Sequence, residues 1–230
     1  MTRSEEAADG VVVNTFEELE PEYLESYERA IGKRVWSVGP LSLHDKDTDE
    51  HGAESNRPFV WVIKECERCP EVDAWMSSGF GERTRGRGLV ITGWAPQVVV
   101  LSHPSVGGFI THCGWNSILE AISGGVPMIT LPHFGDQFLN EKFVVEILKI
   151  GVSLGVKEPS PVTGKGIMRV TRDQIQSAVR SLMDAGKEGE ERRAKARECG
   201  EMARKAMEEG GSSYGNVTRL IQFATGNAKR

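Results

Sequence analysis

Five short runs, at residues 59–63, 89–92, 106–111, 126–131 and 152–156, are apolar on both faces and are bounded by glycine or proline. A strand with one wet face alternates apolar and polar residues, whereas a run without that alternation has to be covered on both sides, which is the situation of a parallel sheet. Parallel neighbours are joined by crossovers, usually helices. Helical periodicity does lie between the runs, at residues 118–122 and at 137–148, where Phe138, Phe143, Val144, Ile147 and Leu148 recur at helical spacing. An earlier unit has the same alternation. It has an apolar run at 10–14, a helical stretch at 17–30 with Leu19, Tyr23, Leu24 and Tyr27 as its apolar positions, and a run at 35–38 stopped by Gly39-Pro40. After Val170 the pattern is helical throughout. Thr171 is the N-cap of a helix at 173–183, a long polar helix runs to Met207, and a last one covers 214–223. The pattern predicts an α/β fold with a Rossmann-like parallel sheet and a helical C-terminus. Residues 42–57 carry almost nothing apolar and read as a linker, dividing a unit at 1–41 from one at 58–230.

Composition excludes several functions. The 230 residues are 39% hydrophobic and 27% charged, which supports a packed core and argues against a disordered chain. The formal charge is −5, and the one basic cluster, Arg192 to Arg197, is embedded in acids and reads as a solvated helix face. No nucleic-acid partner is expected, because such binding rests on clustered cations. The longest apolar runs, 98–101 and 126–131, fall far short of the roughly 20 residues a membrane helix needs. With no span, and no apolar segment behind the acidic N-terminus, the expected location is the cytosol. Cys66 and Cys69 form a Cys-x-x-Cys pair, but Cys113 and His112 are adjacent residues whose side chains diverge, so no metal site is expected and the cysteines read as reduced thiols. A dinucleotide-dependent oxidoreductase is also excluded, since no G-x-G-x-x-G follows an apolar strand with an acid about 20 residues further on.

The chemistry concentrates in residues 94–137. At their centre a strand enters a tight polar turn, His112-Cys113-Gly114-Trp115-Asn116-Ser117, that opens directly onto a helix. The unpaired N–H groups and positive dipole end of such a helix make an anion site, and Gly114 would let the backbone approach a phosphate. His112, Asn116 and Ser117 add donors. Ser117-Ile118-Leu119-Glu120 equally matches a capping box, so one serine could serve the helix or a ligand. Trp94 and Trp115 read as core or interface residues by default, and Asp136-Gln137 as a helix start. All these loops reach the C-terminal edge of the sheet, where open α/β folds bind ligands.

Taken as a whole, residues 94–137 resemble, without a gap, the 44-residue signature of plant secondary-product UDP-glycosyltransferases, and residues 12–19, 36–40, 58–63 and 140–151 look like the same family. The resemblance implies the C-terminal, donor-binding half of a GT-B enzyme, with UDP-glucose as donor substrate and no cofactor. It also implies a small lipophilic plant metabolite, such as a flavonoid or a triterpenoid, as acceptor. Carried over by position, Trp94 would stack on uracil, the backbone of Ala95 would bond to it, and Gln97 and Glu120 would hold the ribose hydroxyls. His112, Asn116 and Ser117 would take the diphosphate beside Gly114, and Trp115, Asp136 and Gln137 would face the sugar. The terminal Gln137 with Trp115 points to glucose.

Two departures accompany the resemblance. The family's catalytic histidine and its aspartate have no counterpart, because His44 and His51 lie in the linker and cannot be mapped onto that base. The first strand and helix of the donor domain are also missing ahead of Phe59, and in a sheet ordered 3-2-1-4-5-6 that strand pairs with two neighbours. The chain therefore reads as a truncated form, and its last helix should leave Val217, Leu220, Ile221 and Phe223 in water or drive association. Two functions stand as expectations: a UDP-glycosyltransferase, or a catalytically inactive fragment that binds UDP-sugar.

Overall fold

The computed structural model describes residues 10–40, 58–63, 70–159 and 170–227. The linker at 42–57, with His44 and His51, and the Cys66/Cys69 pair lie outside the described residues.

The order of elements is β1 (Gly10–Val13), α1 (Pro21–Ile31), β2 (Arg34–Ser37), β3 (Phe59–Ile63), α2 (Pro70–Ser77), α3 (Phe80–Arg83), β4 (Gly88–Thr92) and α4 (Gln97–Ser102). There follow β5 (Phe109–Thr111), α5 (Trp115–Ser123), β6 (Met128–Thr130), α6 (Gln137–Lys142), β7 (Gly151–Ser153), α7 (Arg172–Leu182), α8 (Lys187–Met207) and α9 (Ser212–Asn227). Among the described residues every strand pairing is parallel, as runs apolar on both faces require. The strands form three pieces, β1–β2, β3–β4 and β5–β6–β7. In the doubly wound order 3-2-1-4-5-6, the last two pieces reproduce the pairings 3-2 and 4-5-6. Apolar residues are accordingly uncovered on both pieces: Phe59 is 38%, Val60 45% and Ile110 49% exposed.

The main core lies under β5–β6–β7. Ile118, Leu119 and Ile122 of α5 pack with Met128, Val144 and Ile150, all at most 1% exposed. Each such aliphatic side chain contributes about 1.5–3 kcal/mol by leaving water. The long polar helix α8 is held by a narrow stripe of small residues, Ala196, Cys199, Gly200 and Ala203. A Cβ at Gly200 would sit 3.0 Å from the Ile122 carbonyl, so the two backbones approach closely only because this residue lacks one. Beneath α7, Ala178 and Leu182 cover Ile129 and Leu154. Thr171 caps α7 in a full capping box with Gln174.

Three elements differ from the sequence pattern. α1 begins at Pro21 rather than residue 17, because Phe16 and Leu19 are buried in a turn and Pro21 is preorganised for a first helical position. α6 passes into a π-helical turn at Phe143–Ile147, closed by the Leu148 N–H donating to the Phe143 carbonyl over 2.9 Å. The last helix is not left in water. α9 packs on β2, with Phe223 against Trp36 (ring centroids 5.1 Å apart). Asn216 Nδ2 donates to Ser37 Oγ and to Glu17 Oε1, both over 2.8 Å, and Ser213 Oγ donates to the Gly39 carbonyl. Val217, Leu220 and Phe223 are half-buried, and only Ile221 of the four, 57% exposed, meets solvent. Residues 10–40 provide a seat that the sequence reading did not credit. Among the described residues no helix is long and apolar enough to cross a membrane.

Candidate functional site

Three strand ends deliver loops to one edge of the molecule. β4 ends at Thr92 and turns through Gly93 (φ 92°) to Trp94, whose side chain is 84% exposed, then through Ala95 and Pro96 into α4. β5 ends at Thr111 and reaches α5 through His112, Cys113 and Gly114. β6 ends at Thr130 and reaches α6 through His133, Phe134, Gly135 (φ 61°) and Asp136. In the sheet Thr111 and Thr130 are register partners, so the second and third loops leave it at one level.

The β5–α5 turn is locally strained. Cys113 has φ 66°, in the left-handed region that a residue with a side chain enters at about 1–2 kcal/mol. The turn is held by the Cys113 N–H donating to Thr111 Oγ1 (3.2 Å) and by Asn140 Nδ2 donating to the Cys113 carbonyl (3.0 Å). Burial pushes the Cys113 thiol up to about 12, against a smaller lowering by a hydrogen bond with the Leu131 backbone and a small raising by Glu141. It is a neutral packing group rather than a nucleophile.

The capping box does not form. Gly114 is the N-cap of α5 and no side chain caps it, so the helix start presents backbone N–H groups. Ser117 and Glu120 instead converge on α4. Gln97 Nε2 donates to Glu120 Oε2 over 2.7 Å and to Ser117 Oγ over 3.3 Å. These three residues, 20 and 23 positions apart, form one polar cluster beside the helix start. His112 is exposed and folds over Gly114, where a Cβ would lie 2.5 Å from His112 Nε2, so the glycine is required by the position of the ring.

The sugar-facing candidates are partly committed within the chain. The Trp115 indole N–H donates to the Asn14 carbonyl (3.1 Å) and its ring packs on Phe143 (5.9 Å). Asn14 Nδ2 also donates to Asn116 Oδ1 over 3.3 Å. Gln137 is buried, and its Oε1 accepts from the N–H groups of His133 (2.8 Å) and Phe134 (3.2 Å). Asp136 is exposed and accepts from Asn140 Nδ2 (2.9 Å). Sequence reasoning missed Asn14, which is about 100 residues from its partners, and Asn140, one helical turn beyond Asp136. It also missed His133, whose ring meets that of His112 edge to face at 6.3 Å. Among the described residues no group of three or more His, Cys, Asp or Glu side chains could hold a metal ion.

A parallel α/β scaffold that carries an uncapped helix start and a carboxylate–amide–hydroxyl cluster at its strand ends belongs to the class of open α/β folds that take ligands at that edge. Residues 58–167 match the family described as UDP-glucoronosyl and UDP-glucosyl transferase. UDP-glycosyltransferase 73C3 of Arabidopsis thaliana is 43% identical over 274 aligned positions, covering 96% of this chain and 55% of the relative. UDP-glycosyltransferase 73E1 of Stevia rebaudiana is 42% identical over 96% of this chain and 54% of its own length. Among solved structures, UGT73P12 of Glycyrrhiza uralensis, complexed with glycyrrhetinic acid 3-O-monoglucuronide, superposes with a TM-score of 0.83 at 33% identity, covering 97% of this chain and 55% of that one. UGT2 of Phytolacca americana, complexed with UDP-2fluoro-glucose and pterostilbene, does so at 0.74 and 30%, covering 95% and 55%. The chain belongs to the UDP-glycosyltransferase family, and its fold is that of the GT-B plant enzymes. It spans about half the length of the relatives it matches. The 274 aligned positions exceed its 230 residues, so at least 44 of them hold no residue of this chain.

Proposed function

We propose that the chain forms the donor-binding part of a cytosolic UDP-glycosyltransferase that passes glucose from UDP-glucose to a hydroxyl of a small lipophilic plant metabolite. The observation that carries this reading is the Gln97–Ser117–Glu120 cluster beside the uncapped start of α5. A carboxylate with two oxygens accepts from two vicinal hydroxyls, and the 2.7 Å bond from Gln97 holds it in place for that task. Trp94, exposed at the mouth of the same edge, offers a planar indole to uracil, with the Ala95 backbone beside it. The N–H groups at the start of α5, with His112, Asn116 and Ser117, take the diphosphate and stabilise the charge that develops on the leaving UDP. Asp136 and the amide nitrogen of Gln137 are the groups left to meet the sugar hydroxyls, since the Gln137 oxygen is engaged by its own loop. Trp115 would act through its backbone or ring face.

The unit at 1–41 and the one at 58–230 are then the acceptor-side remnant and the donor domain, joined by 42–57. The excess of aligned positions over residues supports a segment that the relatives have and this chain lacks, and the division of the sheet between β3 and β5 supports its place ahead of β3. The acceptor class rests on similar structures that hold glycyrrhetinic acid 3-O-monoglucuronide or pterostilbene. These residues bind and orient the donor. The base that would deprotonate the acceptor is not among them. Competition binding of UDP-glucose, UDP-galactose, UDP-glucuronate and ADP-glucose to the purified chain tests the reading. UDP-glucose should bind tightest. A preference for either other UDP-sugar would overturn the choice of glucose, and equal binding of ADP-glucose would overturn the uracil site.

A further inference from the structure

We infer that His133 is a second ligand of the donor's diphosphate, acting with His112 at the point where the sugar joins the phosphate. The inference rests on the donor reading above and gives a role to a residue that lies outside the set carried by the resemblance.

The placement follows from the sheet. His112 comes directly after β5 and His133 three residues after β6, from strands whose last residues, Thr111 and Thr130, are paired. The two rings meet edge to face, 6.3 Å apart at 89°. His112 in turn has its Nε2 over Gly114, so the pair stands above the first turn of α5. His133 is not a loosely placed side chain. Its own N–H donates to Gln137 Oε1 over 2.8 Å, which ties its loop to α6. The nearest carboxylate in that loop, Asp136, is occupied by Asn140 Nδ2 at 2.9 Å. The loop therefore brings to the site a ring N–H donor on one side and Asp136 with Gln137 on the other. A residue needed only to pack against the His112 ring could be Leu or Phe, without the cost of half-burying a polar ring. An imidazole becomes favourable there when an anion lies against the pair, because an N–H of each ring can bond to its oxygens.

The test is calorimetric binding of UDP and of uridine to the full 230-residue chain and to His133→Leu and His133→Gln. Loss of a hydrogen bond to a charged group should weaken UDP binding by His133→Leu about tenfold or more while leaving uridine unchanged. His133→Gln keeps an N–H donor and should stay within about threefold of the parent. A loss below about threefold in His133→Leu overturns the inference, as does an equal loss for uridine, which would mark a structural role. If His133→Leu does not fold, the parent chain still decides: His133 ring resonances should move with UDP and stay put with uridine, and a ring unmoved by saturating UDP overturns the assignment. A folded parent that binds no UDP would instead overturn the donor reading, and this inference with it.

Discussion

Replacing Gly114 by alanine separates the fold from the site. The backbone there has φ −62° and ψ 136°, which alanine adopts without strain. The added Cβ, however, would lie 2.5 Å from His112 Nε2, 3.1 Å from Cε1 and 3.4 Å from Cδ2. His112 is exposed, so its ring can swing away at about 0.5–1.5 kcal/mol for an unfavourable rotamer. Against this, alanine restricts the unfolded chain and stabilises by about 0.4–1 kcal/mol. The two nearly cancel, and the urea midpoint of Gly114→Ala should stay close to that of the parent. Binding should not. The displaced ring can no longer meet the diphosphate, and one lost bond to a charged group, about 1.5–3 kcal/mol, weakens UDP by roughly 10- to 100-fold. Calorimetry on Gly114→Ala, His112→Ala and the double variant closes the cycle, and the double variant should bind no worse than His112→Ala. Unchanged UDP affinity in a folded Gly114→Ala chain would refute the reasoning. A destabilisation above about 2 kcal/mol would refute it too, by showing that the ring cannot move.

Two further outcomes follow from burial. The Cys113 thiol is pushed up to about 12, so it stays neutral in the folded chain while the unfolded chain ionises near its ordinary value of about 8.5. Its contribution to stability is therefore complete below that value and is lost progressively as pH rises towards 12. Urea midpoints at pH 8, 9 and 10 should fall, and less steeply in Cys113→Ala. Asn216→Ala removes a buried amide that bridges Ser37, Glu17 and Arg219. It should destabilise the chain by about 1–3 kcal/mol and speed hydrogen exchange in α9 and β2 together, whereas protection lost in α9 alone would contradict the packing described.

Much of the architecture could be read from residue pattern because parallel strands leave a strong signal. Runs such as Phe59–Ile63, uninterrupted by polar residues, have no other stable place, and the capped start of α7 is written in Thr171 and Gln174. Features that depend on distant partners were not legible. The last helix was expected to expose its apolar face because nothing local says that Trp36 and Ser37 wait for Phe223 and Asn216. The capping box at Ser117 fails because the helix already begins at Trp115 with Gly114 as its N-cap, which leaves Ser117 and Glu120 inside α5 with their side chains bonded to Gln97. In the site, Trp94, Gln97, His112, Ser117 and Glu120 reach one edge as their strand ends imply. The Asn14–Trp115 bond and the His112–His133 contact come from loops that meet only in the fold. The π-helical turn at Phe143–Ile147 also had no signal in a periodicity that continues smoothly through it.

The proposal most exposed to test is that Gln97 and Glu120 hold the ribose of a uridine nucleotide. Its most direct test is calorimetric titration of UDP and uridine into the folded 230-residue chain and into Glu120→Ala. The parent should bind UDP with one site per chain, and Glu120→Ala should lose about tenfold or more on UDP and uridine alike, because the hydroxyls it contacts belong to both. Equal affinity in the two chains, or a folded parent that gives no heat with UDP, would contradict the account.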